Sequence, residues 1–186
     1  MQAIPDIEEL PVRGELLSIE LLQRHARSLA QRHQTTTGPG RSRLLSRLTA
    51  NEKLLQVFNE DSLRVENIRR VTPAAEWLLD NAYLIEEQIR LARRHLPKRY
   101  SRELPRLTNG PTAGHPRVYD LALELIAHTD GKVDATHLTA FIAAYQETTP
   151  LKLGELWAVP IMLRLALLEN LRRVAGQLMT ARIDRD

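Results

Sequence analysis

The sequence predicts an all-α protein, an irregular bundle of about six helices. Two observations carry that reading. The aliphatic content is dominated by leucine, with 32 Leu against 8 Val and 10 Ile, and aromatic residues make up only 4% of the 186 positions. Chains poor in β-branched and aromatic residues favour helix over sheet. Apolar residues also recur at three- and four-residue spacing between recognisable start and stop signals.

Taken in order, residues 1–40 read as an extended lead-in, a basic helix and a Gly/Pro linker, and residues 41–186 as a helical domain. Pro5 and Pro11 discourage helix in the lead-in. Ser18 is placed to cap a helix running to about His33, with Ile19, Leu22, Ala26 and Leu29 along one face. The stretch Thr35 to Ser42, TTTGPGRS, is the clearest breaker. A second helix follows from Ser42 to Val65, marked by Leu44, Leu48, Leu55 and Phe58. A third starts with Thr72 as cap and Pro73 at the first helical position, and runs unbroken to Pro97. The segment Pro97 to Pro116 is irregular. Pro116 then opens a helix that stops at Gly131, and Asp134 caps another through Tyr145. The last begins near Leu153, holds Pro160, and reaches the final residue without a stop signal, which points to a chain cut from a longer polypeptide.

Composition excludes several function classes. With no cysteine there is no disulfide scaffold, thiolate zinc site or cysteine nucleophile. The N-terminus carries acids and prolines where a secretory signal would need a basic start and an apolar core. The longest nearly apolar run, Leu151 to Leu168, is interrupted by Lys152, Glu155, Pro160 and Arg164, short of the about 20 apolar residues a bilayer span requires. The net charge of +3 rests on arginine, 22 of the 26 basic residues. Leu21 to Asn51 holds six arginines and no acid, and Arg90 to Arg106 seven basic residues and one acid. Both fit solvated helix faces or an anionic contact. No recognition-helix or RNA-binding motif accompanies them, so nucleic acid is a weak partner.

No catalytic or metal-ligating set stands out. Glu86 and Glu87 are neighbours and point about 100° apart on a helix, so they cannot share one substrate atom. Glu86 is placed instead to pair with Arg90. The six histidines (His25, His33, His95, His115, His128 and His137) include no i, i+4 pair of the zincin kind. There is no phosphate-cradling glycine loop and no nucleophile elbow. Asp184-Arg185-Asp186 matches a D-x-D pair only on the tail of a helix, where such a motif does not work. The sequence thus predicts no metal and no cofactor in this chain. Six residues are singled out as ligand or partner contacts: Trp77, Asp80, Tyr119, Trp157, Arg164 and Arg172. For Arg164 the plainer expectation is an internal salt bridge with Asp80, Glu155 or Glu169, since a buried charge must be paired. For Trp77 and Trp157 it is a place in the core.

Three long stretches carry a family resemblance: Ala75 to Pro97, Tyr100 to Gly131, and Thr149 to Arg173. They resemble the N-terminal region of bacterial cyclic β-1,2-glucan synthases, over about residues 72–176, with ANEKLLQVFNEDS before them contributing more weakly. The resemblance implies a very large inner-membrane protein that joins a cytoplasmic glycosyltransferase module using UDP-glucose, transmembrane helices and a C-terminal domain similar to glycoside phosphorylases. It implies polymerisation of glucose through β-1,2 links and closure of the product into a ring. This chain carries none of those modules, so no catalytic residue of the family has a position here. Three functions follow as expectations. One is a non-catalytic scaffold on the cytoplasmic side of the inner membrane, whose partner is the remainder of the synthase, the transferase module above all. Another is a module that binds UDP-glucose or β-1,2-glucan through Trp77, Tyr119, Trp157 and nearby arginines. The third discards the resemblance: a free-standing basic protein that binds nucleic acid or anionic lipid.

Overall fold

The computed structural model describes residues 14–37, 43–64, 72–96 and 103–183. Seven helices and one two-stranded sheet are formed among them: α1 (Ile19–Arg32), β1 (Thr35–Thr36), α2 (Leu44–Arg64), α3 (Pro73–Asp80), α4 (Ala82–His95), β2 (Arg106–Leu107), α5 (Arg117–His128), α6 (Ala135–Gln146) and α7 (Leu153–Ile183). The all-α class holds. The Gly/Pro stretch 38–42 and the Asp184–Asp186 motif lie outside the described residues.

Local chemistry sets most of the boundaries. Ser18, Thr72 and Asp134 each sit in extended backbone at a helix N-cap and accept a hydrogen bond from the amide three residues on. Gly131, at φ +74°, turns the chain after α5 in the left-handed region where a side chain would be strained. One expectation is corrected here. The helix expected to run unbroken from Thr72 to Pro97 is two, because Asn81 leaves helical geometry (φ −104°, ψ 13°) and its side-chain amide donates back to the Trp77 carbonyl at 2.8 Å. Asparagine competes for backbone groups in this way, which disfavours it inside helices. Pro160, in contrast, sits inside α7 without ending it.

α5 is the centre of the molecule, with ten of its twelve residues buried. Val118, Tyr119, Ala122 and Ile126 pack into a cluster with α2, α3, α4 and α7. Leu121 and Leu125 join a second cluster with Leu22, Ala26 and Leu29 of α1 and Phe141, Ala144 and Tyr145 of α6. The basic helix α1 therefore shares a core with α5 and α6. An antiparallel β1–β2 pair, with Thr35 opposite Leu107, ties the end of α1 to the irregular segment before α5. No helix among the described residues is long and apolar enough to cross a membrane.

Candidate functional site

The six residues singled out above divide by location. Trp157 and Trp77 are 73% and 50% exposed, which corrects the expectation that both lie in the core. On α7, Leu153, Trp157, Pro160, Arg164 and Leu167 recur at steps of four and three, and so share one helix face. Leu153 and Leu167 are 64% and 39% exposed, and Pro160 is exposed too. Arg164 lies half-buried on this row and donates through Nε to Gln88 of α4 at 3.0 Å, not to an acid. Its expected salt bridge is absent because Glu155 and Glu169 are held elsewhere, while Asp80 lies exposed at the end of α3.

The other two are interior. Tyr119 is 1% exposed, and burial pushes its hydroxyl well above its ordinary range. Arg172 is buried and donates to Glu169 on its own helix at 3.1 Å. The fold thus brings Trp157 and Arg164 onto one face but leaves Tyr119 and Arg172 beneath it. Tyr119 offers no exposed ring on which a sugar could stack.

Three polar networks fill the interior. Arg117 of α5 grips Glu155 of α7 through two bonds of 2.7 and 2.8 Å, with a third to the Pro150 carbonyl at 2.8 Å. Glu169 of α7, wholly buried, accepts from Arg47 at 2.6 and 2.9 Å and from Asn51 at 2.9 Å, besides Arg172. His33, which follows α1, bridges Asp120 of α5 at 3.1 Å and Tyr145 of α6 at 3.0 Å. Each joins separate parts of the chain and is largely buried, so it braces the bundle. A fourth group is different. His25, Glu124 and His128, unremarked in the sequence because the pair on α5 is Glu–His and its partner lies on α1, converge at a partly exposed point.

The chain is 41% identical over 167 residues to the cyclic beta-(1,2)-glucan synthase NdvB of Rhizobium meliloti (strain 1021). This chain is homologous to one region of that synthase. The match takes in 88% of the chain but spans only 6% of the synthase's length. No family model matches.

Proposed function

We propose that this chain is a non-catalytic helical domain of a cyclic β-1,2-glucan synthase, at its N-terminal region on the cytoplasmic side of the inner membrane, and that it docks on the transferase module of the same polypeptide. One observation carries the reading: the exposed row of Leu153, Trp157 and Leu167 on a helix whose other faces are well buried. Exposed apolar side chains gathered on one helix face mark a contact surface, and tryptophan is among the side chains that most often dominate such contacts. Homology to a small share of a much larger protein supports the choice of partner. The polar interior networks support the non-catalytic part, because their acids are already engaged by arginine or histidine across the bundle.

The test is carried out in the whole synthase. Trp157→Ala and Leu153→Ala alter only exposed side chains, so expression and membrane insertion stay normal. Glucan synthesis in isolated membranes falls at least about ten-fold in the double variant, as expected for loss of a contact of about 1.4 kcal/mol or more. Wild-type synthesis by the double variant would overturn the docking role. The runner-up reading, a direct UDP-glucose or glucan contact at Trp157 and Arg164, is separated by melting the 186-residue chain with each ligand. A shift of several degrees that Trp157→Ala abolishes would replace docking by ligand handling.

A further inference from the structure

We propose that His25, Glu124 and His128 form a binding site for a divalent transition-metal ion, of which Zn2+ is the best fit. Glu124 and His128 are one turn apart on α5, and His25 reaches them from α1. Nε2 of His25 stands 2.7 Å from Oε2 of Glu124, and Nε2 of His128 stands 3.5 Å from the same oxygen. The rings meet edge to face with centroids 4.5 Å apart, and the three donor atoms all lie within 4.8 Å of one another. Two donors on one zinc are about 3.3 Å apart for bonds of about 2.0–2.1 Å. Small side-chain rotations convert the arrangement into a ligand set.

The orientation of His128 is the stronger argument. Its Nδ1 lies 2.7 Å from the carbonyl oxygen of Glu15, which can only accept, so Nδ1 carries the proton. Nε2 is then the ring nitrogen that faces the carboxylate and is placed to coordinate. A carbonyl on the far nitrogen is also the arrangement that fixes metal-bound imidazoles.

The backbone around Glu15 fixes the position of the His128 ring. The Gly14 and Leu17 amides donate to the Ala127 and His128 carbonyls at 3.1 and 3.2 Å, so residues 14–17 run across the end of α5. Gly14 lies against the imidazole so closely that a Cβ there would stand 2.5 Å from its Cε1. The ring is therefore held on two sides.

Ligand chemistry selects the ion. Two imidazole nitrogens and one carboxylate suit zinc and its neighbours rather than magnesium or calcium, which take oxygen. The side chains of His25, Glu124 and His128 are 22%, 32% and 16% exposed, so the remaining coordination positions open to water. When the ion arrives, the proton that His25 Nε2 shares with Glu124 leaves this nitrogen, to Nδ1 of the same ring or to solvent.

The 186-residue chain, stripped by chelator, is titrated with Zn2+ and with Co2+ in a calorimeter while Co2+ absorption and the melting temperature are followed. We expect about one ion per chain, a raised melting temperature and no response to Mg2+. Glu124→Gln, which keeps the side-chain shape, and His25→Ala each weaken binding by at least about ten-fold. His137→Ala, whose ring is engaged by Asp134, leaves binding unchanged. The proposal is overturned if neither ion binds, or if binding survives both Glu124→Gln and His25→Ala with the fold intact by circular dichroism.

Discussion

At the scale of single residues, the interior is decided by which arginine meets which acid. Arg117 and Glu155 are 38 positions apart, and Arg47 and Glu169 are 122 apart. Both carboxylates are wholly buried. Taking one charge from such a pair leaves the other stranded away from water, at a cost of about 3–5 kcal/mol. Glu155→Gln is therefore expected to lower unfolding free energy in urea by about 3 kcal/mol or more, whereas Arg27→Ala, which breaks an exposed pair with Glu147, changes it little. Equal effects from the two variants would refute this account of the core. That buried arginines need acids points to Glu155 and Glu169, but the sequence offers them only as alternatives to Asp80 for Arg164, because helical spacing places Arg164 inside an apolar run and says nothing of what faces it. Exposure of Trp157 escaped for the same reason. α7 is apolar over most of its circumference, and periodicity cannot tell which apolar face is covered.

At the scale of elements, the ends of helices were legible and their interruptions were not. A capping residue works on the amides of its own helix, so Ser18, Thr72 and Asp134 could be recognised without knowledge of tertiary structure. Asp134 accepts from the His137 amide at 2.8 Å and also engages the His137 ring, and these bonds hold its carboxyl below the usual carboxylate range. Asp134→Asn keeps a capping acceptor, but Asp134→Ala removes it. The alanine variant is expected to lose about 1 kcal/mol in urea unfolding and the asparagine variant much less. A break such as the one at Asn81 differs in kind. The Thr72–Pro97 segment keeps its apolar period across the junction, and only the short return of an amide to the Trp77 carbonyl divides it. Strands β1 and β2 were invisible for a related reason: two-residue segments carry no period.

At the scale of the whole molecule, α5 joins two apolar clusters, and α1 completes one of them. The composition of Thr35 to Ser42 suggested a boundary there, but composition says nothing of what packs across it. That packing depends on Leu22, Ala26 and Leu29 meeting Leu121, Leu125 and Phe141, which are about a hundred residues away. Burying two leucines contributes about 3–6 kcal/mol, against total stabilities of about 5–15 kcal/mol for single domains. A chain trimmed to residues 41–186 would also lose His33, and with it the bridge between Asp120 and Tyr145. It is expected to melt well below the full chain, over a broader transition, and to bind a hydrophobic dye at temperatures where the full chain does not. The same trimming removes His25, so Zn2+ should no longer raise the melting temperature of whatever fold is left. If residues 41–186 melted as sharply and as high as the full chain, α1 would be an appendage, and the linker reading of the sequence would stand.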